Sequence, residues 1–150
     1  MVRPIPEGFT TLTAHITVKG AAEAIAFYEK AFGAELAHKM EMGGSIGHAE
    51  LRIGSSVLML NDEFPTMGAF GPPEQGSGVR LHLYVEDTDK AFEQAVQAGC
   101  EVAMPPTDMF WGDRYAMVKD PFGHGWAIAT HVEDVSPEEC EARAKQAMPG

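Results

Sequence analysis

The chain predicts an α+β protein made of two strand–helix–three-strand (βαβββ) modules in tandem, followed by a short C-terminal helix. Three observations predict it. The chain nearly repeats itself: His15-Ile16-Thr17-Val18 leads into Ala24-Ile25-Ala26-Phe27-Tyr28 and closes on Phe32-Gly33, while His82-Leu83-Tyr84-Val85 leads into Ala91-Phe92-Glu93 and closes on Ala98-Gly99. In both copies a segment alternating apolar with polar residues gives way to helical spacing and then to a glycine stop. The second halves also echo, with Gly54 to Leu60 resembling Gly123 to Ala129. A repeat of this length predicts two like modules about a pseudo-twofold axis, with a ligand site where they meet.

Residues 10–18 read as a half-buried strand, with Leu12, Ala14, Ile16 and Val18 on one face and Thr13, His15 and Thr17 on the other. Ala21 to Phe32 reads as a helix with Ile25, Tyr28 and Phe32 on one stripe. Ala34 to Met42 is a strand turned by Gly43-Gly44. In Ile46 to Ile53, His48, Glu50 and Arg52 lie opposite Ala49, Leu51 and Ile53; Val57 to Leu60 closes the first module. Asn61 to Gly78 is rich in Gly and Pro and reads as a connection.

Val79 to Val85 opens the second module. Asp87 or Thr88 caps a helix running to Ala98, stopped by Gly99. Glu101 to Met104 is a strand, and Pro105 to Gly112 is a loop presenting Met109, Phe110 and Trp111. Arg114 to Val118 and Gly125 to Thr130 complete the pattern around the turn Asp120-Pro121-Phe122-Gly123. Ser136-Pro137-Glu138-Glu139 starts a charged tail helix ending near Ala147. The expected organisation is one domain over 1–150. Module one covers 9–61, a linker 62–78, module two 79–131, and a C-terminal arm and helix 132–150.

Composition narrows the function. With 45% hydrophobic residues the chain supports a packed core, and no apolar run approaches a membrane span. The start Met1-Val2-Arg3-Pro4 has no secretory character. A net charge of −11 without a basic cluster argues against a nucleic-acid partner. Cys100 and Cys140 form no CxxC, which fits a reduced, cytoplasmic setting. Ser45, Ser55, Ser56 and Ser77 belong to no visible acid–histidine set, and no phosphate loop is present. Cys100 follows a helix end, whose dipole disfavours a thiolate.

Ala26-Phe27-Tyr28 through Phe32-Gly33, Val85-Glu86-Asp87-Thr88-Asp89 and Asp120-Pro121-Phe122-Gly123-His124 resemble the vicinal oxygen chelate superfamily. That superfamily includes glyoxalase I, extradiol dioxygenases and bleomycin-resistance proteins. The resemblance covers residues 9–131. Ile46-Gly47-His48-Ala49-Glu50-Leu51, Phe110-Trp111-Gly112-Asp113-Arg114-Tyr115 and Trp126-Ala127-Ile128-Ala129-Thr130-His131 are similar to its PhnB-like branch. The resemblance implies modules that curl a mixed sheet into a cup, with helices on the convex side. Ile16, Val18, Leu83 and Val85 would then lie under helices. Thr13, His15, Thr17, His48, Glu50, Arg52, Leu58, Leu60, Arg80, His82, Tyr84, Ala127 and Ala129 would face the cup.

The metalloenzymes of the superfamily hold one divalent ion through four strands. Alignment on Val18 and Val85, and on the Gly54 and Gly123 turns, puts the expected ligands at Thr13, Arg80, Leu58 and Ala127. None is a good ligand, and Arg80 repels a cation. The usual metal site is expected to be absent, and no cofactor is expected. A displaced divalent-metal set of His15, His82 and Glu50 stays open, as does a ligand pocket or a structural role for those histidines. Arg114 is either an anion clamp or a salt-bridge partner of Asp113 or Asp120. Phe110 and Trp111 are either a lid over ligand or a dimer contact, and His131 ends the last strand.

Three functions follow as alternatives. The first is a small-molecule binding protein of the bleomycin-resistance type, using His15, His48, Glu50, Arg80, His82, Tyr84, Phe110, Trp111 and Arg114; a negative surface suits a neutral or cationic ligand. The second is a metal-dependent lyase, isomerase or dioxygenase using His15, His82 and Glu50. The third is a metal-free enzyme with a histidine of the cup as general base. A homodimer is expected, from an open sheet edge and a tail, Val132 to Met148, long enough to cross a partner.

Overall fold

The computed structural model describes residues 2–147. It forms two compact units that divide between Ser77 and Gly78. The first contains β1 (Ala14–Val18), α1 (Ala21–Phe32), β2 (Glu35–Met42), β3 (Ser45–Ile53) and β4 (Ser56–Asp62). The second contains β5 (Arg80–Tyr84), α2 (Thr88–Ala98), β6 (Glu101–Asp108), β7 (Asp113–Lys119), β8 (Gly125–His131) and α3 (Pro137–Ala147). Each unit is a four-stranded mixed sheet, ordered β1-β4-β3-β2 and β5-β8-β7-β6. The α+β class, the tandem βαβββ pattern and the C-terminal helix are all present.

In each unit the helix connects the first strand to the antiparallel run, and the fourth strand returns to pair in parallel with the first. The helix therefore lies on one sheet face, where the apolar side chains collect. In the first unit Ile16, Val18, Leu51, Leu58 and Leu60 are buried together with Ile25, Tyr28 and Ala31 of α1. In the second unit Trp126, Ile128, Ala116 and Val118 are buried on the corresponding parity, as is Ala95 of α2.

Register corrects the expected facing of two leucines. His15 is opposite Met59, and Thr17 is opposite Asn61. Leu58 and Leu60 pair instead with Ala14 and Ile16, which puts them on the helix side. A one-residue shift in pairing exchanges every side chain between faces. The strand residues beside His15 are thus Val57, Met59 and Asn61.

Three boundaries also differ from expectation. β1 begins at Ala14, leaving Leu12 exposed and Thr13 outside the strand. β4 continues through Asn61 and Asp62, and the connection beyond it contains a short 3-10 turn at Pro65–Met67. β6 runs on through Pro105 and Pro106 to Asp108, which its edge position permits because an outward strand edge does not need every N–H.

Asp62 explains why β4 extends so far. Its Oδ1 accepts the backbone N–H groups of Gly20 and Ala21 at 3.1 and 2.7 Å, and its Oδ2 accepts that of Ile46 at 2.7 Å. Gly20, at the helix start, has no side chain with which to cap α1. A carboxylate from a distant strand supplies the cap and suits the positive end of the helix. In the second unit Asp87 caps α2 directly, accepting from the Lys90 N–H. Asp120 organises the turn before β8 by accepting from the N–H groups of Phe122 and His124 and from the Trp126 indole. His124 therefore sits in a structural turn.

Asp62→Ala should destabilise the chain by about 2 kcal/mol, because three backbone donors lose a charged acceptor. Urea unfolding measures this, and a loss below about 0.5 kcal/mol would show that Asp62 is not the cap the first unit depends on.

Candidate functional site

The histidines gather on the face of each sheet turned away from its helix. Of the protein's six histidines, His15, His38 and His48 lie on this face of the first sheet and His82 and His131 on that of the second, leaving only His124 in a turn.

On the first sheet, the His48 Nε2 is 2.9 Å from the Glu50 Oε2. His15 Nε2 is 2.6 Å from the Asn61 Oδ1, while the Asn61 amide donates to Thr17 Oγ1 and to the Asp62 carbonyl. Asn61 is only 7% exposed, and these bonds fix its amide orientation. The His15 and His48 rings meet edge to face at 5.8 Å, with His38 6.3 Å from His48. His48 and Glu50 thus occupy the same face as His15. Asn61 and His38 were not singled out from the sequence. The strand alternation of His38 with Met40 was a usable signal, whereas Asn61 lay in what reads as linker.

The second sheet presents a different surface. Tyr115, Ala127 and Ala129 form a buried apolar floor, against which Met104, Met109, Trp111 and Met117 pack half-buried. His82 lies beside it, its ring 4.7 Å from Tyr84 and 5.8 Å from Tyr115. At one end is Asp113, 2% exposed. Its Oδ2 accepts the Tyr84 hydroxyl at 3.1 Å and the Trp111 indole N–H at 3.0 Å, and its Oδ1 meets His131 Nδ1 at 2.9 Å. His131 Nε2 reaches Asp134 at 2.8 Å.

These contacts set the electrostatics. Burial alone would raise the Asp113 carboxyl, but the hydrogen bonds from His131, Trp111 and Tyr84 outweigh it and hold it below the usual carboxylate range. His131 is raised, chiefly by Asp134 and then by Asp113. The Tyr84 hydroxyl is raised because it donates to an anion. Burial, with Asp120 nearby, pushes the Cys100 thiol up to about 12.

The other residues singled out from the sequence are placed as follows. Arg114 projects from the helix side of β7 and is held by Asp89 of α2 at 3.0 Å and by Asp108 at 3.3 Å, rather than lying among the floor residues or pairing with Asp113 or Asp120. Trp111 is anchored to Asp113 and packs on Tyr115 with ring centroids 5.6 Å apart, so it is part of the floor wall rather than a free loop. Phe110 stacks edge-on against Trp111 at 5.0 Å. The C-terminal tail folds back within its own unit. Val132 and Glu133 donate to the Gly112 carbonyl, and Arg143 of α3 binds Glu133, Glu139 and the Phe110 carbonyl. The last residue of the expected arm, Met148, lies outside the described residues.

The residues present do not fit the metal centre the family resemblance implies. Leu58 faces α1, Ala127 is a methyl on the floor, Thr13 precedes its strand, and Arg80 carries a positive charge. Of the displaced set, Glu50 is engaged by His48 and His15 by Asn61. Among the described residues, no group of three or more His, Cys, Asp or Glu side chains is placed to hold a metal ion.

This fold, a helix-backed mixed sheet repeated in tandem, defines a class. The chain belongs to the Glyoxalase/Bleomycin resistance protein/Dioxygenase superfamily, whose sequence profile matches residues 10–128. It is 43% identical over 136 residues to Uncharacterized protein Rv0887c of Mycobacterium tuberculosis, covering 87% of this chain and 80% of that one. A solved gene product of Arabidopsis thaliana, AT5G48480, superposes with a TM-score of 0.68 at 28% identity, over 81% of this chain and 98% of the other. The fold is also that of a putative 3-demethylubiquinone-9 3-methyltransferase, PhnB protein, of Bacillus cereus, with a TM-score of 0.61 at 16% identity, over 81% and 99% of the two chains.

Two measurements check the electrostatics. In native protein, a thiol reagent should modify the partly exposed Cys140 and leave Cys100 untouched until unfolding; rapid modification of both would contradict the burial of Cys100. The His131–Asp113 pair should stabilise the fold fully between about pH 4 and about pH 6.5. A raised histidine loses its contribution as pH rises through its folded value, and a lowered carboxylate loses its own as pH falls through its folded value. Melting curves of His131→Asn should lack the alkaline-side decline of the parent, and parallel curves would refute the pairing.

Proposed function

We propose that the protein is a small-molecule binding protein of the glyoxalase/bleomycin-resistance type, binding without a metal at the usual positions. The observation that carries this reading is the floor of the second sheet. Tyr115, Ala127 and Ala129, walled by Met104, Met117 and Trp111 and bordered by His82 and Tyr84, combine apolar contact area with few, directed polar groups. Surfaces of that composition hold small organic molecules. Methionines add adaptable contacts to a planar ligand.

A metal-free enzyme is the second reading, favoured by one observation. Glu50 orients His48 at 2.9 Å, the arrangement that prepares an imidazole to take a proton. A homodimer is part of the proposal. The eight residues of edge strand β2 are all exposed, including Leu36, Met40 and Met42, and an uncovered edge of that kind favours pairing. Two free thiols support a reducing, cytoplasmic setting, and no helix among the described residues is long and apolar enough to cross a membrane.

A thermal-shift screen of planar aromatic compounds, anionic, neutral and cationic, should find stabilisers whose effect falls in Tyr115→Ala and Met117→Ala. If only compounds that are chemically converted shift the melt, and His48→Gln abolishes conversion while leaving the shift, the enzyme reading replaces the binding one. A sedimentation experiment at micromolar concentration should give a dimer, and a monomer would remove the dimer from the proposal.

A further inference from the structure

We infer that the helix-free face of the second sheet takes a planar organic anion, an aryl carboxylate in class, with Arg80 as its charge anchor. This rests on the small-molecule reading above and gives it a ligand class. Pairing arranges the face in rows across the four strands. The first row is Arg80, Gly125, Lys119 and Glu101; the second is His82, Ala127, Met117 and Met104; the third is Tyr84, Ala129, Tyr115 and Thr107. Charge is concentrated in the first row and apolar surface in the next two.

The first row has room. A side chain at Gly125 would meet nothing within 4 Å, so the space above it, between Arg80 and Lys119, is open. Arg80 is exposed, and among the described residues no carboxylate holds its guanidinium. Arg114 and Arg143 are each held by two carboxylates, in a chain with 22 acidic and 11 basic side chains. Lys119 is paired in register with Glu101 on the edge strand, and Arg80 stands at the other end of the row, across the open space at Gly125.

The second row follows at about 7 Å, two residues along the strand. A carboxylate on the Arg80 fork accepts two parallel N–H bonds, which fixes its plane. Its ring then lies along the second row against exposed His82 and half-buried Met117 and Met104, which cover the buried Tyr115 and Ala127 and offer aromatic and sulfur contacts. A cationic ligand would meet Arg80 and Lys119 instead. The net charge of −11 suggested the opposite preference, but exposed charges farther than about 8 Å are largely screened at physiological salt. The local row decides.

Three isosteric probes test this on the full chain by calorimetry: 2-naphthoate, 2-naphthamide and 2-naphthylmethylammonium. Naphthoate should bind at least roughly tenfold tighter than the amide, with the ammonium weakest. Arg80→Gln should abolish the naphthoate advantage over the amide and keep the parent melting curve, while Arg80→Lys retains part of that advantage. Amide and carboxylate binding equally would overturn the anion assignment and leave the binding reading standing. A naphthoate preference that survives Arg80→Gln would also overturn it, since the anion would sit elsewhere. Failure of all three probes to bind would overturn it too, while the wider thermal-shift screen decides the binding reading separately.

Discussion

In each unit a single helix covers one face of a four-stranded sheet and leaves the other parity without a helix. Both units meet this constraint in the same way: the helix covers the Ile16/Leu60 face of the first sheet and the Trp126/Ile128 face of the second. Side chains of the remaining parity escape the packing requirement that dictates Leu, Ile and Val on the covered side. The protein uses that freedom for histidines, for Glu50 and Asn61, and for an aromatic–methionine floor.

The two free faces differ in their degree of internal satisfaction. On the first sheet, His48 and His15 already have hydrogen-bond partners in Glu50 and Asn61, which orient the rings. On the second, the polar network is gathered at one end around buried Asp113, and three donors there compensate its charge. That gathering leaves the middle rows apolar and the far row cationic. It also ties this end of the sheet to the C-terminal segment, because His131 reaches Asp134 and the Gly112 carbonyl accepts from Val132 and Glu133. A side chain at Gly112, where φ is +102°, would run into the Glu133 carbonyl and Val135.

Much of this was legible in the chain. Alternation, helical spacing and glycine stops depend on neighbouring residues, so α1 (Ala21–Phe32), the capped α2 and the Ser136-started α3 can be read without tertiary information. The repeat of His15 and His82 pointed to the free faces because two-residue periodicity carries a side chain's facing along a strand. Within the first sheet, the same alternation placed His48 and Glu50 together.

The remaining features involve partners far apart in sequence or a register between strands. Leu58 and Leu60 face α1 because they pair with Ala14 and Ile16, so Met59 beside His15, and not Leu58, corresponds to Ala127 beside His82. Arg114 is committed to Asp89, 25 residues away, and Asp113 collects Tyr84 from a strand 29 residues earlier. Which segments become strands and helices could be read from the chain alone, since those choices are made by local sterics and periodicity. The identity of each polar side chain's partner was settled by packing, because the partners are brought together only when the strands align.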